Sequence, residues 1–146
     1  MRKMSEEKHF SVELELLRNY EFKVGFGFEG IEDLIMDEQP PTGEGKGPDA
    51  ASFILAAVGN CLSASLSFCL RRSRVEVKGM RTKVEGTIAR NEEGRWRIKG
   101  IKVRLYPELD ENNRNQLDRC IEIFENYCIT TQSIRKGIPV EVEVVK

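Results

Sequence analysis

The stretch from Gly47 to Leu70, GPDAASFILAAVGNCLSASLSFCL, decides the fold. Gly47-Pro48-Asp49 is a helix-start signal, with Asp49 placed to cap the free N–H groups of a first turn. No charged residue occurs from Ala50 to Leu70, and Arg71 and Arg72 follow where a helix C-terminus favours cations. Apolar or small residues occupy every face, so the sequence predicts a helix buried on all sides. Cys61 sits near its middle.

The flanking pattern is that of antiparallel sheet. Phe10, Val12, Leu14 and Leu16 alternate with polar residues and predict a half-buried strand. A turn at Arg18-Asn19 leads to a return strand through Phe22, Val24 and Phe26, and Leu34 to Met36 is a third short strand. Residues 37–48, rich in proline and glycine, read as a mobile loop before the helix. Beyond Arg74 a period of two runs from Met80 to Ile88. Asn91-Glu92-Glu93-Gly94 turns the chain into a strand from Trp96 to Tyr106, with a bulge expected at or beside Gly100, where the apolar phase slips. A second helix carries Leu117, Cys120, Ile121, Phe124 and Cys128 on one stripe. Another helical turn or two covers 130–136, stopped by Gly137, and Ile138, Val140, Val142 and Val144 form a last strand.

The order β-β-β-α-β-β-α-β is that of an α+β fold with mostly antiparallel sheet. At 146 residues the chain is expected to be a single domain, 1–146, with residues 1–9 as a frayed tail. One short sheet cannot cover so apolar a helix, which points to a dimer sharing it. A net charge of -1 argues against nucleic acid as partner. Serines and Asn60 dilute the long helix too heavily for a membrane span. The charged N-terminus is not a signal peptide, so the expected setting is cytoplasmic, where thiols stay reduced. Four cysteines without a CxxC pair do not read as a zinc site, and no metal is expected.

Cys61 and Cys128 are the candidates for chemistry, each on a helix, whereas Cys69 and Cys120 read as packing residues. A reactive thiol must ionise, and burial without a cation opposes this. Mid-helix, Cys61 gains nothing from its own helix N-terminus. Arg18, at the tip of the first hairpin, is the best candidate cation, reaching across from this chain or a partner, and Arg135 is the alternative.

At these residues the chain resembles the superfamily of osmotically inducible protein C and organic hydroperoxide resistance proteins (OsmC/Ohr). The resemblance is carried by GPDAASFILAAVGNCLSASL around Cys61 and ENYCITTQSIRKGIPVEVEV around Cys128, and it spans nearly the whole chain. It implies an intertwined homodimer with two active sites built from both subunits. It also implies a thiol peroxidase without a cofactor, acting on a small organic hydroperoxide and restored by an external dithiol reductant. Cys61 would be the peroxidatic cysteine, Cys128 the resolving one, and Arg18 the activating arginine. The helix glutamate that holds this arginine in peroxidase members falls at or beside Ser52 here. Asp49, a turn earlier, is the nearest acidic group, and Ser52, Asp49 and Gln132 complete the candidate binding residues. Without the glutamate, the rival reading is a non-catalytic dimer of the same fold that binds a small apolar or electrophilic molecule.

Overall fold

The computed structural model describes residues 6–146. Residues 1–5 of the expected tail lie outside the described residues. The chain divides into two compact units, one ending at Phe53 and the other Ile54–Lys146.

In the first unit, β1 (Glu13–Arg18), β2 (Glu21–Gly25) and β3 (Leu34–Met36) form an antiparallel sheet in that order. The register sets Leu14 opposite Val24, Leu16 opposite Phe22, and Val24 opposite Leu34, so the alternation gathers the apolar side chains on one face. Val24 is buried, but Leu14 and Leu16 are more than half exposed. The expected half-buried β1 is thus an edge strand whose apolar side is open in a single chain. Asn19 takes a positive φ in the β1–β2 turn, as its short polar side chain allows.

The loop 37–48 departs from the expectation of mobility, because it folds around one buried carboxylate. Asp37 accepts N–H groups from Glu38 at 2.7 Å, Lys46 at 3.1 Å and Glu44 at 3.3 Å. These donors, that of Lys46 foremost, hold Asp37 below the usual carboxylate range against the opposing effect of burial. Gly47 lies so close to β3 that a Cβ there would collide with the Ile35 carbonyl oxygen.

Helix α1 (Ala50–Arg72) begins as the sequence predicts, with Asp49 Oδ1 accepting the Ser52 N–H at 2.8 Å. Val58, Gly59, Leu62, Leu66, Cys69 and Leu70 form its buried stripe. In the second unit these join Val75, Cys120, Phe124 and Cys128 in one core. A single chain does not bury every side of α1: Ile54 is 41% and Phe68 56% exposed. The helix is long and apolar enough to cross a membrane, but the core on its inner stripe, with Leu70 fully enclosed, is that of a packed helix.

Strands β4 (Gly79–Arg90) and β5 (Trp96–Glu108) form a long antiparallel hairpin. Its turn is held by Asn91 Oδ1, which accepts the N–H groups of Glu93 and Arg95. Thr87 pairs with Gly100 and Ile88 with Ile98, so Lys99 is the extra residue of a bulge beside Gly100, where the phase slip placed it.

Helix α1 approaches β4 closely at Gly59. Ser63 Oγ lies 2.6 Å from both the Gly59 carbonyl oxygen and Thr82 Oγ1, and a Cβ on Gly59 would come within 2.6 Å of Val84 Cγ2. Gly59→Val is therefore expected to destabilise the fold by about 1–3 kcal/mol through overpacking. Urea unfolding checks this, and an unchanged midpoint would show that the helix can lift off β4 freely.

The expected second helix is broken. Helix α2 (Arg114–Ile123) gives way to a 3-10 turn, Phe124–Tyr127, and a third helix, α3 (Ile129–Lys136), ends at Gly137 with positive φ. Phe124 and Cys128 still point inward, as does Cys120, while Ile121 of the expected stripe is 52% exposed. A 3-10 turn rotates side chains by a different angle from an α-helix, so the buried stripe survives the break although the helix does not.

Two further expectations need correction. Cys69 and Cys120 are core residues, but they are joined as a disulfide with Cα atoms 5.8 Å apart. Closing a loop over a separation of 51 residues restricts the unfolded chain by about 4 kcal/mol in the chain-entropy description. The expected last strand is not paired, and Val140, Val142 and Val144 are each more than 80% exposed. The alternation is present, but a strand needs a neighbour, and the described residues supply none.

Candidate thiol active site

Cys61 lies half-buried at the middle of α1, and Cys128 is fully buried in the same core. Cys128 is not on a helix, as expected, but immediately before one. Its extended backbone makes it the N-cap of α3, and its sulfur accepts the Thr131 N–H at 3.4 Å and lies 3.1 Å from Thr131 Oγ1. A thiol thus fills the place usually held by serine or aspartate. The break at Phe124–Tyr127 puts it there and turns the free N–H groups of the next helix toward α1.

Those groups polarise Cys61. Burial pushes its thiol up, but four hydrogen-bond donors outweigh this: the Cys128 thiol, the Thr130 N–H and hydroxyl, and the Ile129 N–H. The net effect is a Cys61 acidity below the ordinary thiol value, as befits an anion at a helix N-terminus. Cys128 moves the other way. Burial raises it most, Thr131 partly relieves this, and both the hydrogen bond and the negative charge of Cys61 raise it further. Two thiols sharing a hydrogen bond are thereby driven apart, one toward thiolate and the other toward thiol.

Within one chain the donors that lower Cys61 belong to α3 and Cys128. Arg18 lies in the first unit, exposed at the hairpin tip, 3.7 Å from Glu21. Arg135 is engaged at 2.7 Å by Glu125. Asp49 and Ser52 are paired with each other at the start of α1, which holds the Asp49 carboxyl down. Gln132 donates from Nε2 to the Glu125 carbonyl at 3.0 Å and so ties α3 to the preceding turn. Of the six expected site residues, the structure brings together Cys61 and Cys128 and gives the other four local partners. Ile129, Thr130 and Thr131 were missed. Their signal was the sequence Cys-Ile-Thr-Thr, a cap-like residue followed by two hydroxyl side chains before Gly137.

Beside the pair is an apolar cavity of about 520 Å³, lined by Val58, Leu62, Val103, Leu105 and Phe124 and reaching Thr131, with Arg135 also on its wall. Neither reactive sulfur lines it. It shares Thr131 with the site and is a neighbouring chamber.

A family model described as OsmC-like protein matches residues 43–143, the stretch that holds both thiols. The chain belongs to the OsmC-like family. Solved structures agree on the fold. An OsmC-like protein of unknown function from Vibrio cholerae is similar with a TM-score of 0.74 at 14% identity, over 87% of this chain and 94% of that one. An organic hydroperoxide resistance protein OsmC from Legionella pneumophila, described as a predicted redox protein, matches with a TM-score of 0.61 at 14% identity, over 90% and 92%. The organic hydroperoxide resistance protein OhrB of Bacillus subtilis matches with 0.59 at 14% identity, over 88% and 91%. At such identities the likeness establishes the fold. A comparison with curated proteins found no match.

Proposed function

We propose that this OsmC-like protein is a cysteine-based peroxidase that reduces organic hydroperoxides through Cys61 and Cys128. The reading is carried by the placement of Cys61 against Cys128 at the N-terminus of α3, where the donors favour an anion on Cys61 and burial disfavours one on Cys128. The Cys61 thiolate attacks the distal peroxide oxygen and the O–O bond breaks. The departing alkoxide takes a proton and leaves as alcohol, and Cys61 becomes a sulfenic acid. That step removes the negative charge on Cys61, which is part of what holds the Cys128 proton. Cys128 is freed to ionise and attack the Cys61 sulfur, expelling water and closing a disulfide. An external dithiol then returns two electrons and two protons. The split in acidity therefore sets the order of events, with attack by Cys61 first and resolution by Cys128 second.

The active form in this reading is a homodimer in the cytoplasm, in which burial shields the Cys69–Cys120 disulfide from the reductants that keep exposed thiols reduced. Support for the dimer comes from the apolar surface left open in one chain: Leu14 and Leu16 on β1, Ile54 and Phe68 on α1, and the valines of 140–144. Arg18 belongs to the proposed site as a residue supplied from the partner's hairpin, since its place in this chain is exposed. The apolar cavity suits the hydrocarbon part of the substrate.

The rival reading, a dimer that binds a small apolar or electrophilic molecule without turnover, is favoured by one observation: neither reactive sulfur lines the cavity. One equivalent of cumene hydroperoxide added to protein with free Cys61 and Cys128 discriminates between them. The expected result is a stoichiometric Cys61–Cys128 disulfide and cumyl alcohol by peptide mapping and chromatography. Both thiols left intact beside unconsumed peroxide would support the binding reading instead.

A further inference from the structure

The four cysteines form two pairs with matched spacing. Cys69 follows Cys61 by eight residues along α1, and Cys128 follows Cys120 by eight residues along α2 and the 3-10 turn. The disulfide between Cys69 and Cys120 therefore joins the two elements that carry the reactive thiols, at equal chain distance from each. On α1 that distance is a rise of about 12 Å, so the disulfide is a remote tie and not an exchange partner.

The Cys128 segment meets α1 through side chains, with Cys120, Phe124 and Cys128 in one core with Val58, Leu62, Leu66, Cys69 and Leu70. Beside that core, the cavity of about 520 Å³ is lined by Val58 and Leu62 of α1, by Ile101, Val103 and Leu105 of β5, and by Phe124, Thr131 and Ile134 of the segment, which lack packed neighbours on that side within one chain. The hydrogen bonds that make Cys61 acidic come from Cys128, Ile129 and Thr130, all on this segment. Cys120 is 1% exposed and Cys69 9%, so the tie is shielded from small reductants that can reach Cys61.

We propose that Cys69 and Cys120 are positioning residues whose disulfide is a strut, holding the N-terminus of α3 and Cys128 against Cys61. The inference rests on Cys61 and Cys128 being a redox pair, and it assigns the second pair a task beyond stability. With the strut in place, the Cys61–Cys128 disulfide forms readily. Without it, the segment swings on its cavity side and the two sulfurs spend less time within reach.

Thiol–disulfide equilibrium tests this without any peroxide. The protein is equilibrated with mixtures of reduced and oxidised dithiothreitol, and peptide mapping gives the fraction of Cys61–Cys128 disulfide. Each exchange moves two electrons and two protons between the protein pair and the reagent. Wild type is read where Cys69–Cys120 stays oxidised, and is compared with Cys69→Ala/Cys120→Ala and the bulkier Cys69→Val/Cys120→Ala, both confirmed folded by near-ultraviolet circular dichroism. The expected result is an effective concentration of the Cys61–Cys128 pair at least about tenfold lower in both variants, with Cys61 alkylation shifted to higher pH. Equal effective concentrations and an unmoved alkylation profile, with only a lower melting temperature, would overturn the strut and leave a purely stabilising disulfide. If wild type forms no Cys61–Cys128 disulfide at any ratio, the redox pair itself fails and the strut with it.

Discussion

Replacing Cys61 with serine is expected to slow organic hydroperoxide reduction by about a thousandfold or more, because a hydroxyl in the same place stays protonated at neutral pH and is a poor nucleophile. The site is arranged for an anion on sulfur: the Ile129 and Thr130 N–H groups and the Cys128 thiol all donate to it. Cys128→Ser is expected to behave differently. Its first attack should persist, but the sulfenic acid on Cys61 then lacks its resolving partner and goes on to sulfinic acid with excess peroxide. Stopped-flow measurement of the first step separates the two variants. The pH dependence has a definite sign. A thiol whose acidity is increased is protonated only at lower pH, so the rate should climb about tenfold per pH unit below the lowered Cys61 value and level off above it. The lowering thus extends the active range downward. Peroxide consumption by Cys61→Ser at the wild-type rate would remove Cys61 from the reaction.

Placing two charges in the C-terminal segment, as Val140→Asp/Val142→Asp, is expected to weaken self-association by about a hundredfold or more. Each valine buried in an interface contributes about 1.5–3 kcal/mol, and its replacement by a carboxylate adds the cost of removing a charge from water. Both side chains are more than 80% exposed in the single chain, on a segment with the alternation of a strand and, among the described residues, no strand beside it. Unpaired backbone in such a segment is a ready template for another chain. Analytical ultracentrifugation reads the outcome directly. Activity should fall with dissociation, since Arg18 is proposed to come from the partner. A wild type that is monomeric at working concentration, or a double variant that dimerises as tightly, would contradict the shared site.

Much of the fold was legible because its signals are local. The Asp49 cap, the Asn91–Gly94 turn, the bulge beside Gly100 and the stop at Gly137 each depend on a few neighbouring residues, and each stands where the pattern put it. What escaped was set by distance in sequence or by a second surface. The periodicity of Leu117 to Cys128 reports an inward stripe but not whether one helix or a helix and a 3-10 turn provides it, so the cap position of Cys128 was hidden. The joining of Cys69 to Cys120 follows from how α1 meets α2, which no spacing in the sequence encodes. The all-round burial of α1 and the pairing of the last strand were read from composition that one chain cannot satisfy alone. The same limit applied to the site. The pair Cys61 and Cys128 was legible by residue type, whereas the donors that lower Cys61 within one chain, the Cys128 thiol, the Thr130 N–H and hydroxyl and the Ile129 N–H, depend on the break before α3 and were not.

The central claim is that Cys61 and Cys128 are moved apart in acidity, Cys61 lowered by the Cys128 thiol and the donors at the start of α3, and Cys128 raised chiefly by burial. Alkylation by iodoacetamide across pH, with each cysteine followed separately by mass spectrometry, measures that split most directly. The expected result is a Cys61 profile with its midpoint below the value of about 8.5 for a free cysteine and a Cys128 profile above it. A Cys61 midpoint at or above the free value, or the reverse order for the pair, would contradict the account.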